Sequence, residues 1–403
     1  MSVSIKSIVA VCLLVLAGSF SLRAQDKPYV VVLSMDGFRW DYPDSVPTPN
    51  LAQMEKDGVR ANSLIPSFPS VTFPNHYTLA TGLYPDHHGL VHNSFYAPEF
   101  DATYKIGDRE KVEDGRYYGG EPIWNTAEKQ GVKTAAFYWV GSEAKIQGMR
   151  PSYWKPYSKN ISFEQRIDTV VHWLSLPEKD RPHLIMFYFD EPDHTGHTFG
   201  PQSAEVRHEV MHLDSLVGIL RQKLAQLPVS DKINFMLVAD HGMGAISNDK
   251  RINIDEFVPR SWIKRDNGGT PVTTIDANEG YTDSIYNRLS KVAHLRVWKK
   301  ADVPDYLHYG TNAREGELIV AADSAYSLAW KNSREIKGGA HGYDPLDTDM
   351  HAVFYAAGPA FKKDYRLPSF PNVDMYSIMA YLLNIKPAQT DGSIDEIKDM
   401  FVE

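Results

Sequence analysis

Three runs of apolar and β-branched residues constrain this chain most: Tyr29-Val-Val-Val-Leu-Ser34, His183-Leu-Ile-Met-Phe-Tyr-Phe189 and Ile233-Asn-Phe-Met-Leu-Val-Ala239. None alternates polar with apolar, so each needs burial on both faces, which is the condition of strands in a parallel sheet covered by helices. Helical patterns lie around them, at Thr48 to Asp57, Asn75 to Thr81, Ser162 to Leu174 and Ser203 to Leu227. Strands alternating with helices predict an α/β fold, with a mostly parallel central sheet flanked by helices. From about Asn248 to Lys337 the pattern turns irregular and polar, with Asp-Asn-Gly-Gly at 266–269 and no long apolar strand. An inserted cap or lobe is expected there. No repeat or Pro/Ser-rich linker divides the rest, so residues 25–403 read as one domain with an insertion at about 248–337.

The amino terminus reads as an export signal. Lys6 precedes an apolar run from Ile8 to Leu16, small residues follow, and cleavage is expected after Ala24, in a stretch without an acidic residue. The run is too short for an ordinary spanning helix, and no second one follows, so no transmembrane segment is expected in the mature chain. Cys12, the only cysteine, lies in that segment, which leaves the mature chain without a disulfide or a thiol. Bulky Val11 and the short apolar lead argue against a lipid on Cys12. Export without disulfides suits a bacterial periplasmic or secreted protein.

The 42 basic and 51 acidic side chains give a formal charge of −9, which repels a polyphosphate backbone and excludes a stable nucleic-acid complex. It does not exclude phosphate chemistry where bound metal supplies positive charge.

In a parallel sheet, ligands bind beyond the carboxyl ends of the strands. The three strands lead into Met35-Asp36-Gly37, Asp190-Glu-Pro-Asp193-His-Thr-Gly-His197 and Asp240-His241-Gly242. A single Asp after a strand is an ordinary turn or cap residue. Three strand ends that all offer carboxylate or imidazole point instead to metal, and more than four such ligands point to two ions. His341, between glycines in Gly339-Ala-His341-Gly-Tyr-Asp344, is placed to return to the same edge. Thr72 stands just before Pro74 and a helical run, where backbone N–H groups favour an anion. A helix cap is its ordinary role, whereas metal coordination would make its hydroxyl a nucleophile.

Met35-Asp36-Gly37-Phe38-Arg39, Thr72-Phe-Pro-Asn-His-Tyr77, Thr81-Gly-Leu-Tyr-Pro85 with His88-Gly89, Asp193-x-x-Gly-His197, Asp240-His241-Gly-Met243 and His341-Gly-Tyr-Asp344 occur in one order. In that order they resemble the nucleotide pyrophosphatase/phosphodiesterases of the alkaline phosphatase superfamily, from about Tyr29 to Asn384. The resemblance implies a catalytic phosphodiesterase domain with two zinc ions. One would be held by Asp193, His197 and His341, the other by Asp36, Thr72, Asp240 and His241. It further implies hydrolysis of nucleotide diester or pyrophosphate bonds, such as NTP to NMP and pyrophosphate, through a covalent nucleotidyl-threonine at Thr72. Asn93 matches the family's amide on a non-bridging phosphate oxygen.

Phe73 and Tyr157 stand where similar proteins sandwich a nucleobase, a contact tolerant of any base. Val71 replaces the lysine that animal nucleotide enzymes carry before the nucleophile, which weakens the expectation for contacts to outer phosphates or ribose. Asp190, Glu191 and His194 are chemically plausible ligands too. A phosphate monoesterase, with Lys155 or Lys159 as added cation, a lysophospholipase C-like diesterase and a non-catalytic binding protein are the competing functions. The expected partner is a small nucleotide or nucleotide-like diester, and the expected state a monomer.

Overall fold

The computed structural model describes residues 28–331 and 333–402. The predicted export signal and Cys12 lie outside them. The three apolar runs fold as strands β1 (Tyr29–Met35), β5 (Leu184–Phe189) and β6 (Ile233–Val238). β2 (Gly58–Ala61), β3 (Thr134–Phe137), β4 (Tyr153–Lys155), β7 (Phe354–Ala357) and β8 (Tyr365–Leu367) complete the sheet. Its order is β8-β2-β7-β6-β1-β5-β3-β4. β1 pairs in parallel with both β5 and β6, Val32 facing Met186 on one side and Met236 on the other. β7 alone runs antiparallel, between β6 and β2. From Val30 to Leu33, Leu184 to Phe187 and Met236 to Val238, no residue is more than 1% exposed. Burying each such side chain contributes about 1.5–3 kcal/mol, so the strands that end at the site are its most firmly held part.

Helices α1 (Pro49–Asp57), α3 (Phe163–Leu174) and α5 (Ala204–Ala225) fall on the predicted helical patterns. α2 (Thr72–Thr81) begins before the predicted Asn75, because proline is tolerated in a first helical turn and Pro74 sits there. Its residues from Pro74 to Thr81 are all buried.

The region 248–337 is more ordered than its sequence suggested. It contains a four-stranded antiparallel sheet of Ile263–Gly268, Val272–Ala277, Leu318–Ala322 and Leu295–Lys299, with helix Thr282–Leu289 and a core of its own around Ile275, Ile285, Leu289 and Leu318. Leu318–Ala322 is a wholly buried apolar strand, contrary to the expectation of none. The chain leaves the main sheet through Gly244–Ser247 and returns through Lys337–Ala340, and these two stretches pair antiparallel. That ribbon brings the end of the insertion back beside its beginning. Among the described residues no helix is long and apolar enough to cross a membrane.

Candidate metal centre and cleft

Four chain segments converge at the carboxyl edge of the central strands. Asp36 follows β1, and Asp240 and His241 follow β6. Asp193 and His197 project one turn apart from helix α4 (Asp193–Phe199), which follows β5. The ribbon delivers His341, whose ring stacks on His241 at 3.6 Å between centroids.

The six side chains form two clusters, Asp193/His197/His341 and Asp36/Asp240/His241, and in each one ligand atom per residue lies within 4.8 Å of the others. Within the first, His197 Nε2 and His341 Nε2 are 3.1 Å apart, and each is 3.5 Å from Asp193 Oδ1. Within the second, His241 Nε2 is 3.0 Å from Asp240 Oδ2 and 3.4 Å from Asp36 Oδ1. Each imidazole has its other nitrogen committed: Nδ1 donates to Gly339 O from His197, to Ser70 O from His341 and to Gly242 O from His241. A backbone carbonyl only accepts, so the neutral ring keeps its lone pair on Nε2, pointing into the cluster.

Lone pairs facing lone pairs need a cation between them. Asp36 Oδ1, Asp193 Oδ1 and Asp240 Oδ2 are buried without a hydrogen-bond donor, an arrangement that is costly unless a positive charge completes it. Burial, with Asp240 and Asp193 nearby, pushes the Asp36 carboxyl well above the usual range, and burial likewise raises Asp193. Burial acts upward on Asp240 too, but His241 and His76 outweigh it and hold that carboxyl well below the ordinary value. Burial and the neighbouring His241 and His197 keep His341 neutral, the form that ligates. The donor set therefore fits two divalent ions bound through nitrogen and carboxylate oxygen.

Thr72 is the first residue of α2. The residue before it, Val71, occupies the cap position, and no side chain caps the helix there. The cap role open to Thr72 in the sequence is thus unused, and its Oγ1 instead lies 3.2 Å from His241 Nε2. Asn75 fixes the approach to the helix, accepting from Ser67 N and donating to Pro69 O and Val71 O. Asn93 accepts the Phe73 N–H through Oδ1 at 2.9 Å, which satisfies one helix-terminal amide and leaves its Nδ2 as the available donor.

A cleft of about 690 Å³ is lined by Asp36, Thr72, Asp193, Phe73, Tyr157 and Lys159, among others. The two predicted stacking aromatics thus share one cleft with the threonine and with ligands of both clusters. Asp190, Glu191 and His194 line it as well but stand outside both clusters. Arg166 holds Asp190 at 3.1 Å, and Glu191 accepts the Thr195 N–H. Lys155 is exposed on β4. Asn93 lines an adjoining groove that shares Ile106, Gly107 and Arg109 with the cleft.

Two supporting residues escaped the sequence reading. Tyr188 donates its hydroxyl to Asp36 Oδ2 at 2.5 Å, and as the one hydroxyl-bearing residue in the apolar run of β5 it was a faint signal. His76 Nδ1 donates to Thr72 O at 3.0 Å and lies 3.2 Å from Asp240 Oδ2, while Nε2 pairs with Ser34 Oγ, so the ring sets the helix bearing Thr72 against the second cluster. Its spacing of four from Thr72 was the available clue.

A mostly parallel sheet with two Asp/His clusters at its carboxyl edge is the architecture of the alkaline phosphatase superfamily. Residues 30–344 match the family described as Type I phosphodiesterase / nucleotide pyrophosphatase, and the chain belongs to that family. It is 36% identical over 377 residues to venom phosphodiesterase CdcPDE of Crotalus durissus collilineatus, a match covering 90% of this chain and 45% of that protein. The chain thus spans under half the length of that relative. It is 33% identical over 387 residues to human ectonucleotide pyrophosphatase/phosphodiesterase family member 5, over 96% of this chain and 80% of that protein. The solved structure of murine ectonucleotide pyrophosphatase/phosphodiesterase 5 superposes with a TM-score of 0.89 at 32% identity, covering 93% of this chain and all of that one. An inactive T72A variant of the murine protein, in complex with AMP, is equally similar, with a TM-score of 0.89.

Proposed function

We propose that the chain hydrolyses nucleotide phosphodiester and pyrophosphate bonds, with Thr72 as nucleophile and two zinc ions as cofactors. The observation that carries this reading is Thr72 Oγ1, free of any capping duty, set against His241 in a cleft shared by Asp36, Asp193, Phe73 and Tyr157. Asp193, His197 and His341 would hold one ion; Asp36, Asp240, His241 and Thr72 the other. Bound zinc would supply Lewis acidity and positive charge toward the phosphoryl oxygens.

The chain's own residues divide the remaining work. Phe73 and Tyr157 hold the base, and Asn93 Nδ2 donates to a non-bridging oxygen as its charge grows. Thr72 Oγ bonds to phosphorus as the leaving group departs with the hydroxyl proton. Water then attacks the nucleotidyl-threonine and returns the proton to Thr72, so one water is consumed per bond cleaved.

Residues 25–403 would be one catalytic domain, exported after cleavage at Ala24 to a bacterial periplasm or the medium, and monomeric. The test compares the purified mature protein on a nitrophenyl nucleotide diester and on nitrophenyl phosphate. A higher kcat/KM on the diester is expected, and preference for the monoester would overturn the reading. Elemental analysis should find about two zinc ions per chain, on the logic of a two-ion clamp. Full activity in metal-free protein would refute the cofactor assignment.

A further inference from the structure

Asn93 ends a loop, Gly89 to Asn93, that depends on the inserted lobe rather than on the main sheet for much of its support. Tyr309 donates its hydroxyl to Val91 O at 3.1 Å, and Arg314 donates to Gly89 O at 2.7 Å. Asp86, just ahead of the loop, accepts the backbone N–H groups of Thr311 and Asn312 and the Thr311 hydroxyl.

His92 lies between these two bodies. It is 6% exposed, and its Nδ1 accepts the N–H of Asn93 at 2.9 Å. The other edge of its ring faces the turn between the lobe strands Ile263–Gly268 and Val272–Ala277. A Cβ placed on Gly268, whose φ is +93°, would come within 3.0 Å of His92 Nε2. The same turn also approaches the metal centre. A Cβ on Gly342, next to His341, would meet Pro271 at 2.9 Å and Val71 at 3.1 Å. The lobe's turn therefore packs beside the neighbours of both His341 and Asn93, and Gly342 in turn abuts Val71, the residue before Thr72.

We propose that His92 is a positioning residue, through which the inserted lobe holds Asn93 in place beside Thr72. The backbone N–H of Asn93 is fixed by Nδ1, and its side-chain carbonyl is fixed by Phe73 N, so the remaining Nδ2 has little freedom in direction. An amide aimed in advance at a developing charge is worth more than one that must reorient. Burial pushes His92 down to about 4, so Nδ1 stays an acceptor across the neutral range. The inference rests on Asn93 being the phosphate-contacting amide.

The test is a cycle of His92→Ala and Asn93→Ala, read as kcat and KM on a nitrophenyl nucleotide diester with zinc-loaded protein. Misplacing a catalytic group by about an ångström costs up to about 100-fold. His92→Ala should accordingly lower kcat roughly 10- to 100-fold with KM nearly constant. His92→Asn, whose Oδ1 can take over from Nδ1, should recover most of the loss. In the Asn93→Ala background His92→Ala should cost almost nothing further. Equal fold-losses in both backgrounds, or a change confined to KM, would overturn the proposal. Should His92→Ala fail to fold, Tyr309→Phe removes one hydroxyl bond to the same loop and is expected to show a smaller kcat loss that also vanishes without Asn93. An unchanged rate in Asn93→Ala alone would refute the role of Asn93 itself, and that outcome is distinct from additivity in the cycle.

Discussion

Tyr188→Phe tests whether the second metal cluster is held by what surrounds it. The tyrosine hydroxyl donates to Asp36 Oδ2 at 2.5 Å inside the protein, while the ring packs edge-on against His76 at 5.1 Å. Phenylalanine keeps the ring and removes only the donor. Burial and the Asp36 carboxylate hold the phenol well above its ordinary range, so it remains a donor at any working pH. A hydrogen bond to a charged group is worth about 1.5–3 kcal/mol. Expressed through metal binding, that is a loss of roughly 10- to 100-fold in affinity, the range for partners of metal ligands. The assay is zinc competition against a chelating dye, with thermal unfolding of the metal-free protein run in parallel. The expected result is one weakened site and one unchanged site. Wild-type affinity at both sites, with a lowered unfolding temperature, would make Tyr188 a packing residue and refute the reasoning.

Three further outcomes follow from the geometry. Tyr157→Ala should weaken nucleotide substrates by about 1–3 kcal/mol, the range for base stacking, and leave a base-free diester nearly unaffected; equal losses in kcat/KM on both would contradict a base platform. Gly37→Ala should reduce metal retention on dialysis, because φ is +66° there and a Cβ would press to within 3.1 Å of Asp193 Oδ1. Glu315→Gln should stabilise the protein more at pH 9 than at pH 5. Burial and Asp86 push that carboxyl up to about 10, so native protein keeps a proton that the unfolded chain has lost. Stability from this group is full at acidic pH and falls as pH rises toward 10, and glutamine removes that slope. A pH-independent difference in melting temperature would contradict it.

How much of this was legible in sequence depends on how locally each feature is encoded. β1, β5 and β6 were readable because burial on both faces leaves an uninterrupted apolar run, and the rule of strand carboxyl ends then placed Asp36, Asp193 and Asp240 on one edge. His341 was readable only as a candidate. Its position depends on the pairing of Gly244–Ser247 with Lys337–Ala340, across the whole insertion. The lobe's sheet was missed because Ile263–Gly268 is polar and only partly buried after its first residue, and Leu318–Ala322, though wholly buried, is a shorter apolar run than the central strands. Tyr188 and His76 were missed for a different reason. Each partners a carboxylate far along the chain, and no local period marks such a contact.

The central claim, that Thr72 attacks phosphorus, is tested most directly by the stereochemical course of hydrolysis of a diester made chiral at phosphorus. Attack by Thr72 followed by attack of water on the nucleotidyl-threonine comprises two in-line displacements, so the account predicts net retention of configuration. Net inversion would mean a single displacement by water and would remove Thr72 from the role of nucleophile, whatever the activity of its alanine variant.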